Sequence, residues 1–258
     1  MTALLELCNV TKRFGGLTAV NDVSLSVEGG QIYSLIGPNG AGKTTVFNLI
    51  SAVFRPSEGR ILFEGRDLTR LPTYALAKIG IGRTFQNLAV FKHETVVNNL
   101  LVGMHTHLRT DPLSATFFWG RARREEIKAR ERVEEIIDFL EIEDIRDHTV
   151  GTLSYGQQKR VELGRALAVS PKLLLLDEMV SGMNQEERED IARFILDLKD
   201  ELGMTVFMVE HDMGIVMDIS DHVCVMNHGG KIAEGPPADV VNNPAVVEAY
   251  LGSKRDAA

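Results

Sequence analysis

The stretch Gly37-Pro38-Asn39-Gly40-Ala41-Gly42-Lys43-Thr44-Thr45 decides how the rest of the chain is interpreted. It follows an apolar, β-rich run at 31–36 and precedes a run at 46–50 that is typical of the first turns of a helix. In that context the pattern G-x-x-x-x-G-K-[ST] indicates a phosphate-binding loop. Glycines let successive backbone N–H groups point at one anion, and the start of the helix adds partial positive charge.

Within this loop two side chains have separate expected roles. Lys43 reaches the β- and γ-phosphates of a nucleotide, and the Thr44 hydroxyl ligates Mg²⁺. The alternative is a glycine-rich turn with a surface lysine. The apolar strand before the loop and the helix after it both disfavour that alternative.

Composition narrows the classes of protein that remain. The chain has 258 residues, 44% of them hydrophobic and 25% charged, which is ordinary for a globular protein. Its net charge of −8 argues against general nucleic-acid binding. The first ten residues include Glu6 and no basic stretch, and no run approaches the ~18 apolar residues of a membrane span. We therefore expect a cytoplasmic protein. Cys8 and Cys224 lie in alternating, strand-like runs, so we expect both to be buried, reduced thiols.

Polar residues follow the predicted buried strands. The leucine run at 173–176 ends at Asp177 and Glu178, at the edge where parallel sheets bind ligands. Asp177 could hold Mg²⁺ and Glu178 could orient or deprotonate a water, although a pair of solvated loop acids is the alternative. His211 follows the apolar run at 205–209, and Gln86 follows a predicted strand at 79–85.

The remaining segments predict a layered α/β arrangement with a helical insertion. Runs at 4–14 and 17–27 predict antiparallel strands, and Phe14 at the end of the first is either a core residue or a stacking face for a base. Residues 94–160 change character to charged helical segments. Ser154 suits the N-cap of the helix that follows it, where free N–H groups could hold an anion.

These motifs together resemble the ATPase subunit of an ABC transporter over essentially the whole chain. The resemblance is closest to the branch that serves uptake of hydrophobic and branched-chain amino acids, as in Glu210-His211-Asp212-Met213 and Ala249-Tyr250-Leu251-Gly252. It implies an α/β P-loop NTPase fold of the ABC ATPase type, with a mixed central sheet, an antiparallel β subdomain and an inserted α-helical subdomain. It also implies one domain, 1–258, with the helical subdomain at about 87–160 and C-terminal helices and tail at about 236–258.

The resemblance assigns a role to each motif. Glu178 would be the catalytic base, His211 the switch histidine, and Gln86 the residue that touches Mg²⁺ and couples to the permease. Thr44, Gln86 and Asp177 would ligate the metal. The residues that would contact ATP are Phe14, Gly37, Pro38, Asn39, Gly40, Ala41, Gly42, Lys43, Thr44, Thr45, Ser154, Gly156 and Gln157.

The resemblance also implies partners and a location. Two ATPase subunits, identical or related, would sandwich ATP, with the 153–157 signature of one contacting the γ-phosphate held by the other. Two transmembrane permease subunits would bind this pair on the inner face of the cell membrane, with a substrate-binding protein acting indirectly and no nucleic acid involved. Importers of urea, short amides or aromatic acids and non-transport ABC ATPases remain alternatives. A GTPase switch is disfavoured because no Asn-Lys-x-Asp occurs.

Three positions depart from the common family pattern. Tyr155 replaces a glycine of the signature, and Asn184 replaces an aspartate of the segment 181–184. Met179 stands where a proline normally follows the glutamate. A proline would stiffen that turn, whereas methionine leaves it looser and keeps a backbone N–H that needs a partner.

Overall fold

The computed structural model of the chain describes residues 3–84, 89–107 and 121–252. One unit comprises residues 1–76 and 173–258, and a second comprises residues 77–172. The expectation of a single ATPase domain with a helical subdomain at about 87–160 stays a prediction.

The strands predicted at 4–14, 17–27, 31–36, 173–176 and 205–209 are present, with small differences at their ends. Of the strand predicted at 79–85, Ile81–Arg83 form β6 in the second unit, and residue 85 lies outside the described residues. In chain order the strands are β1 (Ala3–Phe14), β2 (Leu17–Glu28), β3 (Ile32–Ile36), β4 (Glu58–Phe63), β5 (Arg66–Asp67), β6 (Ile81–Arg83), β7 (Leu173–Asp177), β8 (Thr205–Val209), β9 (His222–Asn227) and β10 (Gly230–Gly235).

The smaller sheet is antiparallel and has the order β2-β1-β4-β5. Along β2, Val23, Leu25 and Val27 are buried and alternate with residues that are more exposed. This period of two places one face of the strand on the core and the other towards water, as the sequence predicts.

The larger sheet supplies the central layer of the first unit. Strands β9, β3, β8 and β7 are parallel neighbours in that order, and β10 pairs antiparallel with β9. Every residue of β3, β7 and β8 is buried, which explains their continuous apolar sequences. The predicted mixed sheet is confirmed. Because parallel strands end at one edge, the segments after β3, β7 and β8 emerge together there.

The helices begin at capping residues in several places. Thr95, Ser154, Asn184 and Asp212 each accept a hydrogen bond from a backbone N–H of the following first turn. The helices are α1 (Lys43–Ile50), α2 (Val96–Gly103), α3 (Arg121–Phe139), α4 (Tyr155–Leu167), α5 (Gln185–Asp200), α6 (Met213–Ile219), α7 (Pro237–Val241) and α8 (Pro244–Gly252).

The sequence of residues 73–78 predicts a helix, and that prediction is wrong as to the type of helix. Residues 73–78 form two short 3₁₀ turns, Thr73–Ala75 and Ala77–Ile79, instead of an α-helix. Gly80, with a φ of 89°, ends the second turn before another helical turn can form. Within the described ranges, none of the helices combines the length and the apolar character needed to cross a membrane.

Candidate functional site

The glycine-rich loop connects β3 to α1, which confirms the predicted order of strand, loop and helix. Gly42 is the N-cap of α1 and has a φ of 101°. A Cβ atom there would lie 2.5 Å from the carbonyl oxygen of Ala19, so a side chain does not fit. The loop therefore presents backbone at the start of the helix, which suits a phosphate.

Lys43 points back into the loop. Its Nζ donates hydrogen bonds to the carbonyl oxygens of Gly37, at 2.7 Å, and Pro38, at 3.1 Å. Burial lowers the pKa of Lys43, and the negative charge of Glu178 opposes that shift. The ammonium group thus faces the concavity of the loop and lies within electrostatic range of the Glu178 carboxylate.

Asp177 and Glu178 lie at the carboxyl end of β7. Asp177 is its last residue and is buried, whereas Glu178 lies just beyond it with a side chain 17% exposed. The Glu178 N–H donates to the carbonyl oxygen of Val209, at 2.9 Å. Its φ of 49° is left-handed, which is uncommon for a residue other than glycine.

His211 meets Glu178 directly. Its Nε2 lies 2.7 Å from Oε1 of Glu178, at the end of β8. The next residue, Asp212, caps α6 by accepting from the N–H of Ile215 and pairs with the Arg188 guanidinium at 2.8 Å. These two contacts hold the backbone on the carboxyl side of His211.

In the sequence, Glu210 stands out only as the first residue of the motif at 210–213 that resembles the family. Its carboxylate is buried and accepts hydrogen bonds from the N–H groups of Val180, at 3.2 Å, and His211, at 3.3 Å. Burial raises the pKa of Glu210 to about 7, with opposition from these two N–H groups and a smaller raising effect from Glu178. The sequence signal that could have found it is an acid directly after a buried strand, as at Asp177.

Phe14 ends β1 and is 42% exposed, so it is not a core residue. Its ring meets the Phe54 ring edge-on, with centroids 5.2 Å apart. Lys12 Nζ lies 4.9 Å from the Phe14 centroid. The Phe14 side chain is therefore partly exposed, and its stacking on a base stays a prediction.

A second contact to the loop comes from α8. Burial raises the pKa of Tyr250, and a hydrogen bond with the backbone of Gly37 opposes that shift. In the sequence, Tyr250 stands out only as part of the motif at 249–252 that resembles the family. The C-terminal helix thus touches the first glycine of the phosphate loop.

The signature residues lie in the second unit, at the start of α4. Ser154 Oγ accepts from the N–H of Gln157, at 3.2 Å, and Gln157 Oε1 accepts from the N–H of Ser154, at 3.0 Å. This capping box confirms Ser154 as the N-cap, while Gly156 is buried and Tyr155 is exposed. Gln86 lies outside the described residues.

Comparison with known proteins gives concordant matches. A family model described as "ABC transporter" matches residues 20–181, and one described as "Branched-chain amino acid ATP-binding cassette transporter" matches residues 231–256. The high-affinity branched-chain amino acid transport ATP-binding protein BraF of Pseudomonas aeruginosa is 44% identical over 249 residues. That alignment covers 96% of this chain and 98% of BraF.

Solved structures share the fold. An ATP-binding cassette of an ABC transporter in its ADP conformation has a TM-score of 0.85 and 38% identity, covering 98% of this chain and 100% of that one. A dimeric post-hydrolysis cassette bound to ADP and Pi has a TM-score of 0.75 and 27% identity, covering 90% and 98%. The α/β fold of an ABC ATPase is thereby confirmed. Since one family model covers more than half of the chain and BraF matches almost all of it, this chain belongs to the ABC transporter family as one of its ATP-binding cassettes.

Proposed function

We propose that the chain is the ATP-hydrolysing motor subunit of an importer for branched-chain or other hydrophobic amino acids. The observation that best supports ATP hydrolysis is the 2.7 Å contact between Glu178 and His211. This contact lies at the sheet edge from which the phosphate loop also emerges. The substrate class is supported by the match at 231–256 and by the likeness to BraF.

The first unit offers the groups that hydrolysis of ATP needs. The backbone of the loop and Lys43 would bind the phosphates. Thr44 and Asp177 offer the oxygen ligands that Mg²⁺ prefers, and bound Mg²⁺ would neutralise charge on the β- and γ-phosphates. Glu178 would orient and deprotonate the attacking water. The hydrogen bond with His211 fixes the direction of the Glu178 carboxylate.

The remaining roles need partners. Ser154, Gly156 and Gln157 would contact the γ-phosphate held by a second ATPase subunit, which the likeness to a dimeric cassette supports. Gln86 would couple the pair to two permease subunits on the inner face of the membrane. A substrate-binding protein would choose the cargo with the permease.

Two variants test the chemistry. Glu178→Gln keeps the shape of the side chain and loses the base, so we expect retained Mg·ATP binding and turnover reduced by ~10²-fold or more. Lys43→Ala should instead weaken binding of the triphosphate. Fluorescent-nucleotide titration and phosphate release measure the two effects separately. Near-normal hydrolysis by Glu178→Gln would remove Glu178 as the base.

Glu178→Gln also tests which substrate the importer transports. In cells whose native copy is replaced by Glu178→Gln, uptake of labelled leucine, isoleucine and valine should fall to the level of a deletion strain. Urea uptake in the same cells is the matched control. Loss of urea uptake with amino-acid uptake intact would establish the alternative cargo.

A further inference from the structure

The turn after β7 sets where the Glu178 carboxylate lies. Glu178 has a left-handed backbone conformation, which persists only where the surrounding structure fixes it. Its own N–H is held by Val209, and the backbone then continues through Met179 and Val180, both buried. A group that hydrogen-bonds the backbone N–H groups of this turn therefore sets the orientation of the Glu178 carboxylate.

Glu210 binds this turn from the neighbouring strand end. One oxygen, Oε1, accepts from the Val180 N–H, and the other, Oε2, accepts from the His211 N–H. Glu210 is only 4% exposed as a residue, so its hydrogen bonds lie largely out of reach of water. One buried side chain thus joins the backbone beside Glu178 to the backbone of His211.

We propose that Glu210 is a positioning residue for hydrolysis, whose carboxylate ties the turn at Met179–Val180 to His211 and so fixes the Glu178–His211 pair. The proposal rests on the proposed function, in which Glu178 acts on water. In this proposal Glu210 does not itself contact the nucleotide. It acts through the backbone of two residues that have their own roles.

Met179 lies in the turn that Glu210 binds, between Glu178 and the Val180 N–H that donates to Oε1 of Glu210. A proline at this position, as the family resemblance leads us to expect, would have no N–H and a fixed φ. Through the Val180 N–H, the Glu210 carboxylate therefore restrains a turn that lacks the stiffness of proline.

The test uses the full-length chain and steady-state ATP hydrolysis. Glu210→Gln keeps the volume but loses one of the two carboxylate oxygens as an acceptor and turns N–H donors towards the turn. We expect kcat to fall ~10-fold or more, the scale of a small misplacement of reacting groups, with KM for ATP within ~3-fold of wild type. Met179→Pro should restore part of kcat in Glu210→Gln, because proline stiffens the turn that the variant holds less firmly.

Controls separate positioning from general stability. Glu234→Gln removes a partly exposed carboxylate that hydrogen-bonds Tyr33, and it should leave kcat unchanged. Glu210→Asp keeps the charge on a shorter side chain and should also lower kcat, which covers the case of a Gln variant that does not fold. Wild-type kcat in a folded Glu210→Gln or Glu210→Asp variant would overturn the proposal. So would a fall in kcat that Met179→Pro does not relieve.

A comparison with Glu178→Gln distinguishes two failures. If Glu178→Gln loses turnover and Glu210→Gln does not, the positioning role is wrong and the proposed function survives. If Glu178→Gln hydrolyses ATP normally, the role of Glu178 is wrong, and the positioning role is overturned with it.

Discussion

Single residues at this sheet edge are held mainly through backbone contacts. Glu178 keeps its left-handed conformation because Val209 accepts its N–H and the following turn is bound by Glu210. His211 lies between two acids that bind backbone, Glu210 on one side and Asp212 on the other. A substitution that removes one of these backbone contacts should therefore disturb the placement of Glu178 or His211.

Phe14 has two possible roles, which are packing against its neighbours and stacking on the base of ATP. Phe14→Ala should weaken ATP binding by ~1–3 kcal/mol, the range for stacking of an aromatic side chain on a base. Phe14→Tyr keeps the ring and should be nearly silent in the same fluorescent-nucleotide titration. Equal affinity for Ala and wild type would limit Phe14 to its contacts with Phe54 and Lys12.

The protonation of Glu210 predicts how stability depends on pH. The pKa rises from 4.5 to about 7 on folding, so between these values the unfolded chain releases a proton that the folded chain keeps. Its contribution to the free energy of unfolding is therefore fully present below about pH 4.5 and is lost as pH rises through about 7. The loss amounts to about 3 kcal/mol at most.

Glu210→Gln avoids this ionisation, so its unfolding free energy should exceed that of wild type at pH 8. The gain should shrink towards pH 5. Urea denaturation followed by circular dichroism at both pH values measures it, with Glu234→Gln as the control. A variant that is equally destabilised at both pH values would show that the hydrogen bonds outweigh the buried charge.

Elements were predictable where a local pattern determines them. The buried strands β3, β7 and β8 are continuous apolar runs, and Ser154 marks the start of α4 because a serine there accepts a backbone N–H. By contrast, the 73–78 segment has helical composition but too few residues before Gly80 for an α-helix. The secondary structure of such a short segment depends on the residues at its ends.

The candidate site was predictable in its residue types and not in its contacts. Asp177, Glu178 and His211 follow recognisable strands, so their shared edge could be expected from the topology. The bonds of Glu210 depend on the register that sets Asp177 beside Val209, residues far apart in the chain. That register comes from packing of whole strands, and no local pattern around Glu210 encodes it.

At the scale of the whole molecule, the groups proposed to act on one ATP are divided between units. The phosphate loop and Glu178 belong to the unit formed by residues 1–76 and 173–258, and Ser154 and Gly156 belong to residues 77–172. The resemblance assigns the signature to the γ-phosphate held by another subunit. On that assignment one chain would hold two incomplete halves, and two chains would complete each site.

Assembly should accordingly follow nucleotide. Each ATP held between two subunits adds contacts that only the dimer makes, so ATP favours association by mass action. We expect isolated wild type to be mostly monomeric, because hydrolysis removes the γ-phosphate that joins the subunits. Its ATPase activity should be weak, because each site needs a second subunit. Glu178→Gln retains that phosphate and should dimerise in Mg·ATP, as light scattering with and without nucleotide would show. Lys43→Ala combined with Glu178→Gln should stay monomeric because it binds the triphosphate poorly. A Glu178→Gln variant that binds ATP yet remains monomeric at high concentration would count against a homodimer, and the second subunit would then be a related but different ATPase.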